Sequence, residues 1–425
     1  MNFKVCLFAN LKNKLNLRSV VLLLMLFNAK NTPNIKMNEY LRSYVFLLVY
    51  LVMAYPINPD RTKPWNDLPL LPPAREFYED IQVFIQLGNA KAALGRLQGR
   101  SIAIPNQGLL INSISLQEAK ASNAIENIFT TDDELYKAYS EPQSKKPEGP
   151  AKEILNYREA LWLGYEYLRG EQAFDEHYFI KMYRTVSQFN DGIRPPIAQI
   201  YIKEGGSGLN AGKASYTPPR GKGVIEEKLQ NLIDFLNDDQ QYQLDPLLKM
   251  AIAHFQFEAI HPFRDGNGRT GRIFNIHYLT KKGLLDYPIL FLSRYIMDNK
   301  DDYYACLSGI TQKGNWKNWL LFMLKTVEVT ANLTYNKIND IISAKDAILD
   351  AVISENTISR PESLVSTIFT EPFTKVKHLT DKGLYAENTA RKYLDQLAKM
   401  GILEKRMMQG NSYYLNLELY RILSE

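Results

Sequence analysis

Over most of this chain the apolar residues recur every three or four positions, the period of an α-helix lying against a core. From Glu76 to about Ala138 one stripe runs through Ile81, Phe84, Ile85 and Leu87, and Ala92, Leu94 and Leu97 continue it. Ser113–Phe129 predicts a further helix with Ile125 and Ile128 on its apolar side. Residues 151–190 predict two more, marked by Leu155, Tyr157 and Leu161 and then by Phe179, Ile180, Met182 and Tyr183. The period returns in Val224–Leu236 and in Asp245–Ile260, where Leu248, Ile252, Phe255 and Ala259 share a face. It continues at Ile273, Ile276, Tyr278 and Leu279, then in Asn299–Leu307, Trp316–Val329 and Tyr335–Val352.

The breaks in this rhythm divide the chain. Pro56, Pro59, Pro64, Pro69, Pro72 and Pro73 make residues 56–75 an extended arm over the surface. Glu141–Pro150 is a charged linker bounded by prolines. Between Arg194 and Tyr216 the spacing turns to alternation. Gln199, Ile200, Tyr201 and Ile202 read as a strand, Gly205, Gly206, Gly208 and Gly212 as a loop, and Ala214–Tyr216 as the returning strand of a β-hairpin flap. From Glu355 onward the pattern is helix (Ser363–Phe369), helix (Thr374–Thr380) and helix (Glu387–Met400). Ile402–Met408, a turn at Gln409–Asn411 and Tyr413–Leu415 then make a hairpin, a winged-helix order. The expected fold is therefore mainly α, a helical bundle with a β-hairpin flap and a small C-terminal winged-helix domain. Its parts are an extension over 1–52, an arm and helices over 53–150, a core over 151–335, a connecting helix over 336–354 and the winged helix over 355–425.

Composition changes this picture at one end only. With 425 residues, 45% hydrophobic and 23% charged, the chain has material for two or three globular domains. The net charge of +5 suggests nucleic acid until it is located. Residues 1–52 carry seven basic residues against Glu39 alone, a surplus of six, so the other 373 residues sum to −1. Their apolar runs, Val20–Phe27 and Val45–Tyr55, are shorter than the ~18 to 20 residues of a membrane helix. The segment reads either as a dispensable or over-extended start, or as a signal-like element with a membrane or export role. Cys6 and Cys306 make no disulfide framework, which suits a reducing, cytoplasmic setting.

The chemistry is concentrated in His261-Pro262-Phe263-Arg264-Asp265-Gly266-Asn267-Gly268-Arg269-Thr270-Gly271-Arg272. Pro262 disfavours helix at His261 and ends the preceding one there. Gly266 and Gly268 permit a tight loop that opens the next helix, where unpaired N–H groups and the positive dipole end face one point, an anion site. Arg269 and Arg272 add charge for more than one phosphate. Asp265 offers a hard oxygen for Mg²⁺, and His261 stands beside them as a general base. Read from the residues, this is a nucleotide-phosphate site with a base at its rim. His254, Glu258 and His261 are spaced as a metal site would be, but His254 reads better as a packed, hydrogen-bonded histidine, and Phe263 as an anchor for the loop.

These twelve residues match without a departure the His-Pro-Phe-x-Asp-Gly-Asn-Gly-Arg-x-x-Arg pattern of the Fic family of protein adenylyltransferases, which the chain resembles over about residues 53–425. The resemblance implies that His261 takes a proton from a target hydroxyl, which then attacks the α-phosphate of ATP. It implies that Asp265 holds Mg²⁺, and that the amides of Gly266–Gly268 and the Asn267 side chain cradle the anion. Arg269 and Arg272 would bind the outer phosphates, with Thr270 and Gly271 in the same nucleotide-binding stretch, and Asn299 would lie near the base. The flap, at Gln199–Ile202, would dock a target segment by strand addition. Ser122-Asn123-Ala124-Ile125-Glu126-Asn127 is similar to the family's inhibitory pattern. It implies that Glu126, sharing a helix face with Ser122, pairs with Arg272 and takes the γ-phosphate's place.

Three functions follow for the same residues. AMP transfer to Ser, Thr or Tyr of a target protein, or of the chain itself, restrained by Ser122, Glu126 and Asn127, is the leading one. The reverse reaction would use Glu126 to align a water and remove AMP. An ATP-sensing regulator would bind DNA through the winged helix, with Arg391 and Lys392 facing the groove, but Glu387, Asp395 and Glu404 offset that charge. The resemblance also implies a homodimer.

Overall fold

A computed structural model of the protein describes residues 55–58, 60–102, 107–140, 148–203, 214–408 and 411–424. The chain divides into two compact units at Pro56, and the described helices and strands belong to the second, Ile57–Glu425. The apolar runs of residues 1–52, the flap-tip glycines Gly205, Gly206, Gly208 and Gly212, and most of the 141–150 linker lie outside the described residues. Among the described residues no helix is long and apolar enough to cross a membrane.

The fold is mainly helical. After the arm come α1 (Ile81–Ile102), α2 (Gln107–Ile125), α3 (Asp132–Ser140), α4 (Gly149–Tyr167) and α5 (Glu176–Ser187). The flap comes next, then α6 (Val224–Asn237), α7 (Pro246–Ile260), α8 (Asn267–Lys281), α9 (Leu292–Asp298), α10 (Lys300–Lys313) and α11 (Trp316–Ser354). α7 and α8 are buried on nearly every side and form the centre of the core; α7 is apolar nearly all round, whereas α8 buries polar side chains such as His277, which is bonded to Tyr178 and Leu161 O. Gly164 of α4 lets that helix close on α8, since a Cβ there would collide with His277 and Met182.

Two sequence expectations change in this bundle. Ile81, Phe84 and Ile85 are exposed, whereas Leu87, Leu94 and Leu97 are buried as expected, and Val83 and Ala90 complete their face. Those five are spaced four and three apart down the whole helix, so α11 can lie along them, whereas the other set covers only the first turn. Gln86, Arg96 and Arg100 then bond across to Glu328, Asn332 and Asn339 of α11. Trp316–Val329 and Tyr335–Val352 are one continuous helix, so the expected boundary between core and connecting helix at 335 falls inside it. The polar break was misleading because Thr330 and Thr334 are buried and donate their hydroxyls to the carbonyls four residues back.

The arm is extended as expected and fastened by main-chain groups. The Trp65 N–H donates to Thr217 O (3.1 Å), Lys228 donates to Leu68 O (2.7 Å) and Gln256 to Pro69 O (2.9 Å). The flap is a short antiparallel pair, β1 (Ile202–Lys203) and β2 (Ala214–Tyr216), with Ile202 opposite Tyr216. Of the expected strand Gln199–Ile202 only Ile202 is in β1. Gln199, Ile200 and Tyr201 precede it, where Gln199 accepts from Arg220 (2.7 Å) rather than from a ladder partner.

The C-terminal unit runs α12 (Pro361–Ile368), β3 (Phe373–Thr374), α13 (Val376–Thr380), α14 (Glu387–Lys399), β4 (Leu403–Met408), β5 (Asn411–Asn416) and α15 (Leu417–Ser424). Its sheet order, β3-β5-β4, with a hairpin after the third helix is a winged-helix arrangement. Thr374 starts no helix; it pairs with Tyr414. The basic residues of α14 and the wing face acidic ones: Arg391 pairs with Glu387, Lys405 with Asp395, and Arg406 with Glu404 and with Asp133 of α3. Together with the Tyr136–Tyr420 ring contact, the last pair fastens this unit to α3.

Candidate active site

The site forms where the end of α2 meets the loop between α7 and α8. α2 stops at Ile125, one residue before Glu126, and its end is a Schellman motif. The Ile128 N–H donates to Asn123 O (3.0 Å), the Asn127 N–H to Ala124 O (3.0 Å), and Asn127 is left-handed with φ 61°. Asparagine and glycine are the residues that tolerate this conformation, which gives the last position of the Ser-x-x-x-Glu-Asn pattern a physical reason. Glu126 therefore projects from the cap of the helix and is not on its body.

Arg272, 1% exposed, receives that end. Its Nε donates to Ser122 Oγ (2.8 Å), and its Nη2 to Ser122 O (3.0 Å) and Glu126 Oε1 (2.7 Å). Burial works against both charges, but the pairing wins: the Glu126 carboxyl is held below its ordinary range and the Arg272 guanidinium above its own. The Glu126 carboxylate lies over Gly268, where a Cβ would stand 2.5 Å from Oε1. A protein carboxylate thus occupies the approach to the start of α8.

The loop itself is closed from within. Gly266 is left-handed (φ 67°), the Asn267 side chain accepts from Phe263 N–H and donates to Phe263 O (both 2.9 Å), and Phe263 stacks on Tyr183 with centroids 4.3 Å apart. Phe263 is thus the expected anchor, and the Asn267 side chain shapes the loop while keeping a second Nδ2 hydrogen beyond its bond to Phe263 O. Arg269 is buried, and its Nη1 donates to Glu153 of α4 (2.7 Å) and to Asn123 (3.3 Å). Thr270 and Gly271 sit inside the first turn of α8, Gly271 against the Glu258 carboxylate, whose pKa burial raises to about 7. Asp265 is exposed, and its Oδ1 accepts the Gly266 N–H (2.7 Å).

His261 caps α7 in a left-handed conformation (φ 50°). Burial, and then the Arg194 guanidinium, lower its pKa to about 4, so the imidazole is neutral near pH 7. His254, one helical turn and more behind it, bonds Tyr303 (2.9 Å) and stacks on Trp319, the packed histidine expected. Asn299 lies between α9 and α10 with its amide turned onto Tyr295 O (2.9 Å), while its neighbour Lys300 donates to Asn127 Oδ1 (3.1 Å).

Three models of known families match this chain in succession, together over more than half of it. They are the Fic/DOC family N-terminal model at residues 84–166, the Fic/DOC family model at 171–279, and the C-terminal domain model of SoFic-like protein adenylyltransferases at 354–419. The chain belongs to the Fic family. Among curated relatives, "Protein adenylyltransferase fic-1" of Caenorhabditis elegans is 30% identical over 115 residues, 27% of this chain and 21% of that protein. "Protein adenylyltransferase Fic" of Drosophila grimshawi is 25% identical over 155 residues, 36% of this chain and 31% of that one. The chain thus spans under a third of either relative. A solved Fic family protein from Desulfovibrio desulfuricans G20 shares 20% identity, with a TM-score of 0.47, over 78% of this chain and 95% of its own.

Within the Fic core the structure brings together Ser122, Glu126, Gly268 and Arg272, and sets His261 and Asp265 on the same loop. It also adds residues that the sequence did not point to. Glu153 carries no motif, and only the fold brings α4 to Arg269. Glu118 of α2 is buried and accepts from Ser293 N–H (2.8 Å) and Tyr157 (3.0 Å), which fastens α2 to α9. Arg194, 2% exposed, bonds only main-chain carbonyls through its guanidinium, a kind of partner that no side-chain pattern announces.

Proposed function

We propose that this chain is a protein adenylyltransferase. It transfers AMP from ATP to a Ser, Thr or Tyr hydroxyl of a target protein or of itself, and Glu126 restrains it. The observation that carries this reading is the Glu126 carboxylate over Gly268 and on Arg272, an anion already seated at a helix start built to receive one. The names of the relatives support the same chemistry.

His261, neutral at physiological pH, removes the proton of the target hydroxyl. The freed oxygen attacks the α-phosphorus in line, the bond to the bridging oxygen breaks, and pyrophosphate leaves. Such transfers need positioning and charge neutralisation above all. The amides at the start of α8 and, once Glu126 withdraws, Arg272 meet the phosphate oxygens. Arg269 joins them with its Nη1 already shared between Glu153 and Asn123. Asp265 fits a magnesium ligand: it is exposed, and a single carboxylate beside substrate phosphates is how this ion is commonly held. When bound there, Mg²⁺ would neutralise phosphate charge. The outer edge of β1 is the docking strand for a target segment, and a second copy of the chain is one candidate acceptor.

The test is incubation of purified protein with Mg²⁺ and ATP labelled on the α- or the γ-phosphate, followed by mass spectrometry of the modified residue. Label from the α position only, and none after His261→Ala, is expected. Transfer of the γ label, or labelling that survives His261→Ala, would overturn the assignment. Release of AMP from a modified target by wild type, without forward transfer, would assign the reverse direction.

A further inference from the structure

We propose that Arg194 is a positioning residue that joins the flap to the base, so that docking of a target and orientation of the His261 imidazole are mechanically one event. This rests on the reading of His261 as base. Arg194 stands in the segment between α5 and β1. Its own N–H donates to Pro262 O (2.9 Å), its Nε to His261 O (2.8 Å) and its Nη2 to Ile260 O (3.3 Å). Ile260 O is one of the carbonyls that the end of α7 leaves unpaired, at the negative end of its dipole, and His261 O and Pro262 O follow directly after it. The other contacts of the same guanidinium go to the flap: Nη1 donates to Ala198 O (3.3 Å), in the segment that leads to β1, and Nη2 to Pro219 O (2.5 Å), shortly after β2. One buried side chain thus bridges both roots of the flap and the corner carrying the base.

That arrangement has a cost which a structural brace alone would not need. A buried guanidinium whose hydrogen bonds go to carbonyls is poorly compensated: burial lowers its pKa to about 10, still charged at neutral pH, even with Glu226 near enough to favour its charge. An apolar residue could fill the space without that penalty. A guanidinium, however, has five donors in a rigid fork, enough to grip two segments together, and its charge faces the imidazole. The groups facing His261 are Arg194 from the flap side, Glu126 from the end of α2, Asp265 from the loop and the Glu258 carbonyl one turn back; Arg194 disfavours the imidazolium, and the other three favour it.

The experiment uses the full chain carrying Glu126→Gly, with Arg194→Lys and Arg194→Met added separately. Self-labelling from α-labelled ATP is measured against pH, and the His261 ring is followed by NMR of ¹³C-labelled histidine, its signal assigned by loss in His261→Ala. Lysine keeps the charge but cannot reach all the carbonyls that the guanidinium holds. It should lower the maximal rate at least about tenfold at an unchanged KM for ATP, with the acid limb of the profile in place. Methionine should also move that limb, and the His261 titration, to higher pH by about one unit. Wild-type turnover in Arg194→Lys, or an unmoved His261 titration in a folded Arg194→Met, overturns the proposal. If no variant labels at any pH, the function reading fails, while the NMR titration still decides whether Arg194 governs the ring.

Discussion

Glu126→Gly is the sharpest perturbation of the site, because the structure limits what it can remove. Arg272 makes three hydrogen bonds to the end of α2, and two of them, to Ser122 Oγ and Ser122 O, do not involve Glu126. The substitution deletes only the 2.7 Å charge-assisted bond, a class worth about 1.5–3 kcal/mol. The carboxylate keeps 35% of its side-chain surface accessible, so screening places it at the lower end, about 1.5–2 kcal/mol. If the latched form cannot take the nucleotide productively, its stabilisation is the factor by which apparent affinity is reduced. At about 1.4 kcal/mol per tenfold, removing the latch should tighten ATP about 10- to 30-fold and raise self-labelling at sub-saturating ATP by a similar factor.

Glu126→Gln is the graded control. It keeps a neutral acceptor for Nη2, worth about 0.5–1.5 kcal/mol, so its gain should fall between wild type and Glu126→Gly. Calorimetric titration of ATP into each protein in a His261→Ala background separates binding from turnover. An affinity in Glu126→Gly within about twofold of wild type would refute the reasoning, whatever happened to the labelling rate.

Other consequences reach beyond the latch. Gly268→Ala would place a Cβ 2.5 Å from Glu126 Oε1 and 3.0 Å from Arg272 Nη1, so it should dislodge the latch and block the phosphate together; calorimetry should show ATP binding lost, not gained. Gly164→Ala would put a Cβ 2.6 Å from Met182 Sδ and into His277; overpacking of this kind costs about 1–3 kcal/mol, read as a lower urea midpoint at unchanged slope. His277, bonded to Tyr178 (2.6 Å) and Leu161 O (2.7 Å), is kept neutral by burial, its pKa lowered to about 4. Its folded value lies below the unfolded one of about 6.5, so its contribution is intact above that pH and lost as pH falls toward 4. Thermal melts from about pH 7.5 to about 4.5 should fall less steeply in His277→Gln than in wild type, and parallel slopes would count against it.

The loop between α7 and α8 was legible as one element because Pro262 and the glycines break the helical period there, and the chemistry-bearing residues stand next to one another in the chain. What each side chain does there was less legible. Asn267 and Arg269 read only as ligands in a linear reading; in the fold one also closes the loop on Phe263 and the other also pairs with Glu153, a residue 116 positions away. The buried face of α1 was misread because its first turn offers two apolar faces, and only α11 chooses between them. The unbroken α11 was missed because threonine counts as polar in a pattern, while in the helix its hydroxyl is satisfied by the turn behind.

The inhibitory segment shows the same limit from the other side. Serine and glutamate four apart suggested a shared helix face, and the two do converge on Arg272, but by ending the helix rather than continuing it. The Schellman turn at Asn127 carries Glu126 off the helix body and over Gly268, while Ser122, one turn back and fully buried, fixes the arginine it must meet. A latch built this way can open by unwinding one capped turn. Glu118 stays bonded to Ser293 and α2 stays packed, so release of Glu126 does not require the helix to leave its place. In the proposed mechanism the cost of opening is therefore set by one bond and one cap.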